Sequence, residues 1–204
     1  AARKLQEAVG ISRWGYLITQ STVIMRYLRL LVWPTGQQFD YYYPLKLSIF
    51  EPDVLISFII LLATLSLSGY LFVRSIKNGD RLLHIASFGM LWFFITLSIE
   101  SSVIPIHDAI NEHRVYLPSA GIILAFVSLL FYAKNRLKKR LAPGLASGTL
   151  AAVIVALIVP PLSIATFLRN EIWRDEVRLY EDETRKNPYE ASPHIYLGIA
   201  YSSA

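Results

Sequence analysis

The chain has 204 residues, 54% of them hydrophobic and only 17% charged, with 20 Lys and Arg against 15 Asp and Glu, and no Cys. Soluble domains carry about 25% charged residues, so this deficit, with its apolar residues gathered in blocks, excludes disorder, collagen and an ordinary soluble enzyme and points to a membrane protein. Without Cys there is no disulfide, thiolate nucleophile or Cys-ligated zinc, and the excess of base is first of all a topology signal.

The chain opens on Ala1-Ala2-Arg3-Lys4 without a signal-peptide pattern and closes on Tyr201-Ser202-Ser203-Ala204 inside a helical pattern, so it reads as an internal piece of a longer protein. Trp14 to Trp33 is helical in pattern and apolar, but it carries Arg26 and Arg29. A central charge in a spanning helix costs about 2.5–3.5 kcal/mol, and two arginines three apart share a face. The segment is therefore an amphipathic helix at the outer interface or a helix buried against other spans, its arginines facing lipid phosphates or an anionic ligand. Snorkelling to headgroups is the simpler role for them. A turn at Pro34-Thr35-Gly36 leads to Asp40-Tyr41-Tyr42-Tyr43-Pro44, whose tyrosines suit an interfacial belt with wet hydroxyls, and also sugar stacking.

Four stretches have the length and composition of spanning helices: about Val54 to Val73, Leu82 to Ile99, Val115 to Ala133 and Ala146 to Leu168. Each can cross a hydrocarbon core about 30 Å thick. Pro160-Pro161 should kink the last. The connections differ sharply in charge. Arg74, Lys77 and Arg81 stand against Asp80 after the first span, and the run Lys134 to Arg140 after the third is free of acid. Glu100 to Arg114 has three acids and a single Arg. The positive-inside rule makes the two basic connections cytoplasmic and the acidic one extracytoplasmic, with residues 1–53 and 169–204 outside as well. A basic run between two spans is a topology signal, so nucleic acid is not an expected partner.

The acidic loop is the chemically densest part. His107, Asp108, Glu112 and His113 have no spacing that makes all four converge, so neither a metal nor another cofactor is expected. Glu112-His113-Arg114 abuts an apolar span. There Arg114 can grip a phosphate bidentately while the neighbouring acid fixes its rotamer. The plainer account is a solvated loop marking the membrane boundary.

After the fourth span the composition becomes soluble in character. Trp173, Val177, Tyr180 and Thr184 recur at helical spacing, the helix stops at Asn187-Pro188, and a new one starts near Pro193 with Tyr196-Leu197-Gly198-Ile199-Ala200-Tyr201. The L-G-x-x-Y string, nine residues after a helix-stopping Pro, matches the start of a tetratricopeptide repeat. One repeat cannot bury its own face, so more should follow. Gly198 is then expected to pack closely against the preceding helix.

Together, the Tyr16-to-Pro44 run with Arg26-Tyr27-Leu28-Arg29 and the string Glu112-His113-Arg114-x-Tyr116-Leu117-Pro118-Ser119-x-Gly121 resemble multispanning bacterial proteins with C-terminal tetratricopeptide repeats. The second string is similar to the E-R-x-x-Y-L-P-S-x-G stretch of transmembrane and tetratricopeptide-repeat O-mannosyltransferases. The resemblance implies a glycosyltransferase of the GT-C class with a polyprenyl-phosphate-linked sugar donor and a catalytic Asp in a first outer loop, which lies outside this sequence. Tyr42 stands where the family form Asp-Tyr-Asp-Tyr-Pro has its second acid. The resemblance further implies that Glu112, His113 and Arg114 bind the lipid-phosphate end of the donor, and by their charge and place Arg26 or Arg29 is expected to close that site.

The fold expected is all-α: polytopic membrane helices followed by the start of an extracytoplasmic tetratricopeptide-repeat solenoid. Residues 1–53 form the outer amphipathic segment, 54–168 the four-span domain and 169–204 the start of the repeats. The function expected is part of a membrane glycosyltransferase, in a bacterial inner membrane, whose repeats hold a protein partner or acceptor. The alternative is a non-catalytic membrane-anchored tetratricopeptide scaffold subunit of a larger complex. No span has an ionisable residue near its centre, so an ion path fits poorly.

Overall fold

The computed structural model describes residues 13–100, 110–138 and 147–203. Among them the regular elements are all helical: α1 (Arg13–Val32), α2 (Pro52–Asn78), α3 (Arg81–Glu100), a short 3-10 turn (Glu112–Val115), α4 (Tyr116–Lys138), α5 (Ser147–Ile172), α6 (Glu176–Lys186) and α7 (Ala191–Ser203). Four apolar stretches, Pro52–Asn78, Arg81–Ile99, Glu112–Arg136 and Val155–Ile172, are long enough to cross a membrane, in the places the sequence indicates. α5 continues as helix through Pro160 and Pro161. Lys139 and Arg140, at the end of the basic run, lie outside the described residues.

α2 shows why these helices suit lipid. Its buried positions are Val54, Ser57, Leu61, Ser68 and Ser75, a seam at three-, four- and then seven-residue spacing with small hydroxyl side chains. Its large apolar residues, among them Ile56, Phe58, Ile59 and Leu62, are exposed. In water this inversion would be costly; in a bilayer, small residues belong between helices and large apolar ones against acyl chains. The inward hydroxyls are satisfied within their own helix, and Ser75 also meets His84 Nδ1 of the next helix at 3.0 Å. Ser57, Ser68 and Ser75 donate to the carbonyls of Asp53, Leu65 and Phe72 at 2.6–2.7 Å.

The α2–α3 hairpin is closed by local chemistry. Gly79, with φ +63°, ends α2 in the left-handed conformation that glycine adopts without steric cost. Asp80 then accepts from the Leu83 amide at 3.3 Å to start α3. α3 packs most extensively on α4, and the reason is two glycines. A Cβ on Gly89 would run into the carbonyl oxygen of Gly121 and stand 2.9 Å from the Ala125 nitrogen. One on Gly121 would meet the Gly89 carbonyl and, at 2.8 Å, Trp92 Cδ1. Backbones approach this closely only where side chains are absent. Gly121, the last residue of the family-like string, thus has a packing role here.

α1 is buried through most of its middle against the other helices and leaves both its ends exposed. Tyr16, Val23 and Tyr27 are fully buried, as is Thr19, and Val23 and Tyr27 share a core with Phe93, Leu97, Ile110 and Val115. Tyr41 and Tyr43 pack against that core. This corrects the picture of a wet tyrosine belt: the Tyr41 hydroxyl is spent on Glu112 and that of Tyr42 is buried.

α6 and α7 form a helical pair. Asp175 accepts from the Val177 amide at 3.0 Å to cap α6, Tyr180 stacks on Tyr196 at 5.4 Å, and Tyr201 donates to Glu181 at 2.6 Å. Two expectations fail here. Trp173 lies in the turn before α6 rather than on its apolar stripe, edge-on to Phe39 at 5.4 Å. Gly198 meets nothing within 4 Å of an added Cβ; the α6–α7 contact runs instead through Tyr180 on Tyr196 and Tyr201 on Glu181.

Candidate functional site

Three of the residues singled out by the sequence, Arg26, Arg29 and Glu112, gather between the end of α1 and the α3–α4 connection. What gathers them is the segment from Thr35 to Tyr41, a strap laid between the two. Arg29 donates to the Thr35 carbonyl at 2.7 Å, and Arg26 reaches the Gly36 carbonyl at 3.4 Å. Both arginines thereby satisfy carbonyls in the turn that follows their own helix, a common task for a basic residue in a last turn. The Arg26 guanidinium also lies 5.0 Å above the Tyr41 ring, a cation–π contact. Its Nε is buried and has no acceptor among the described residues.

Glu112 closes the arrangement from the α3–α4 connection. Its Oε1 accepts from the Gln38 amide at 2.9 Å and from the Tyr41 hydroxyl. Burial, followed by this bond to a carboxylate, pushes the Tyr41 hydroxyl pKa above its ordinary range, so Tyr41 stays protonated and is a donor. Tyr27 fixes the same connection from below. Its hydroxyl donates to the Asn111 carbonyl at 2.9 Å and accepts from the Asn111 amide at 2.8 Å. Arg114 follows on the 3-10 turn and is 8% exposed, so its side chain lies within the protein rather than out among headgroups. His113 is exposed. His107 and Asp108 lie outside the described residues, and among those described no group of His, Asp and Glu could hold a metal.

The strap has a second anchor that the sequence reading missed. Glu183 of α6, 2% exposed, accepts from the Phe39 amide at 2.5 Å, and Lys186 donates to the Gln37 carbonyl. Asp182 binds Lys186 and, at 2.7 Å, Arg169 at the end of α5. Three successive backbone positions, at Gln37, Gln38 and Phe39, are thus held in turn by α6, the α3–α4 connection and α6. The available signal was Glu183 four residues after Leu179, an acid on the one buried stripe of a short helix. Hydrogen bonds to charged groups contribute about 1.5–3 kcal/mol each.

Chemically, the arrangement offers a cation on an aromatic face, a phenol held as donor and a carboxylate tied to backbone, all next to apolar spans. Cation and carboxylate share the phenol between them, the guanidinium over its ring and the carboxylate on its hydroxyl. Comparison of the chain with protein-family models, with curated proteins and with solved structures finds no match.

Proposed function

We propose that the chain is part of a membrane glycosyltransferase that takes its sugar from a polyprenyl phosphate at the extracytoplasmic face and passes it to a protein or glycan acceptor. The observation that carries this reading is the Arg26 guanidinium, with its buried and unspent Nε, beside Tyr41 and Glu112 at one end of apolar helices. A buried donor without an acceptor costs about 1–3 kcal/mol; a phosphate oxygen at headgroup depth would relieve it. Arg29, on the same helix face, supplies a further cation; the exposed His113 and the buried Arg114 complete the proposed binding set. The α6–α7 pair then begins a tetratricopeptide solenoid that presents the acceptor, and the catalytic Asp belongs to a loop outside this segment.

In the full-length protein, Arg26→Ala is expected to weaken binding of the polyprenyl-phosphate sugar roughly 10- to 100-fold, the equivalent of one charged hydrogen bond. Arg26→Lys, which keeps the charge but not the planar fork, should lose less. If Arg26→Ala and Arg114→Ala both fold, bind and transfer like the parent protein, the assignment fails. A non-catalytic scaffold subunit is the second reading. It is favoured by the fact that Arg26, Arg29 and Glu112 all hold the strap, a structural task that needs no ligand.

Sidedness has its own test. The eight Lys and Arg within 74–81 and 134–140, against one within 100–114, favour a cytoplasmic position for both connections. The native chain has no Cys. An impermeant thiol reagent applied to intact cells should therefore label Ser192→Cys and leave Asn135→Cys untouched. The reverse pattern would invert the topology, and with it the extracytoplasmic site.

A further inference from the structure

We infer that the turn Leu47–Phe50 is a membrane-interface anchor, its apolar side chains inserted among the acyl chains of the leaflet at which α2 begins. The inference rests on α2 spanning a bilayer. Leu47 is 83% exposed, Ile49 43% and Phe50 86%, three large apolar side chains within four residues. In an aqueous loop such exposure has no compensating gain.

The backbone of this turn is prepared for a dry environment. The amides of Leu47 and Ser48 donate to Glu51 Oε1 at 3.1 and 3.3 Å, that of Phe50 to Ser48 Oγ at 3.2 Å, and that of Glu51 to the Ser48 carbonyl at 3.4 Å. A segment entering lipid must satisfy its polar backbone internally, and the amides of Leu47, Ser48, Phe50 and Glu51 meet that condition. The charges are managed as well. Lys46 Nζ pairs with Glu51 at 3.0 Å and Asp53 at 2.6 Å, and the two acids flank the start of α2, where the helix dipole favours them. The Lys46 amide donates to Thr19 Oγ1 at 2.8 Å, which fixes the turn to α1.

The occupant follows from continuity. Leu55, Ile56, Phe58 and Ile59, in the first two turns of α2, are exposed and apolar, so the surface of the turn runs on into the lipid-facing surface of a span. Acyl chains cover both with one solvent. The depth suited to such a segment is the boundary of headgroups and chains, about 5–10 Å in.

The test uses the full chain in phosphatidylcholine vesicles, with an environment-sensitive fluorophore on single cysteines. Phe50→Cys is compared with Leu62→Cys, on the exposed face of α2, and with Tyr189→Cys in the exposed turn between α6 and α7. The expected result is that the probe at 50 is quenched by lipid carrying a nitroxide high on its acyl chain, as at 62, and shielded from aqueous iodide, unlike at 189. Quenching at 62 but iodide access at 50 would overturn the anchor and leave the span intact. Quenching at 62 with shielding from both quenchers at 50 would also overturn it, in favour of a protein cover. No lipid quenching at 62 would overturn the span and the anchor together.

Discussion

Gly121→Leu is expected to force α3 and α4 apart and to cost at least about 3 kcal/mol, the upper end of ordinary overpacking. The clash is with backbone. An added Cβ meets the Gly89 carbonyl, and the next nearest atoms are Trp92 Cδ1 and the Phe93 nitrogen. A side chain can rotate away, whereas a helix backbone moves only as a body. The same separation would strip the Trp92 indole from the Leu117 carbonyl, which it reaches at 3.3 Å. Gly121→Ala and Gly89→Ala should each cost about 1–3 kcal/mol for the same reason. Gly69 and Gly198 meet nothing within 4 Å, so Gly→Ala at either should be neutral or gain about 0.5–1 kcal/mol from helix propensity. Thermal unfolding in detergent measures all of these. Equal effects at Gly121 and Gly69 would show that the crossing is not held by backbone contact.

Glu183→Ala should release the strap from α6. The Phe39 amide loses its acceptor, at a cost of about 1–3 kcal/mol, which corresponds to a rise of roughly 10- to 100-fold in its hydrogen exchange. Glu183→Gln keeps an acceptor oxygen in place and should cost much less. Burial already disfavours the charge at this position, since it is the main cause holding the Glu183 carboxyl above its ordinary pKa of 4.5, against the Phe39 amide and Lys186. Unchanged exchange at Phe39 in Glu183→Ala would mean that the strap is held elsewhere.

The pH dependence has opposite signs at neighbouring residues. Glu183 has its folded pKa raised, so its contribution to stability is full below the unfolded value and declines as pH rises through the folded one. Burial also opposes ionisation of Asp182, but Lys186 and Arg169 outweigh it and hold that carboxyl below 3.8. Its ion pairs persist until pH falls below that value. From neutral pH down to about 4.5 the protection of the Phe39 amide, corrected for intrinsic exchange, should therefore hold or increase. A loss of protection over that window would contradict the raised pKa of Glu183.

Much of the molecule was legible without coordinates. The spans depend on runs of apolar residues and the stop of α6 on Asn187-Pro188, all properties of neighbours in the chain, and α2, α3, α4, α6 and α7 lie where those signals put them. Arg26, Arg29, Glu112, His113 and Arg114 were singled out from residue type and place beside apolar segments, which the sequence states directly. Their partners were not. Glu112 meets Tyr41 across 71 positions and Glu183 meets Phe39 across 144, and no periodicity carries information over such distances. Gly89 and Gly121 likewise resemble Gly69 until two helices cross. Local composition determined which segments are helices and which of them suit lipid. Tertiary packing decided what the polar residues do, because a hydrogen bond or a backbone crossing exists only once both partners are in place.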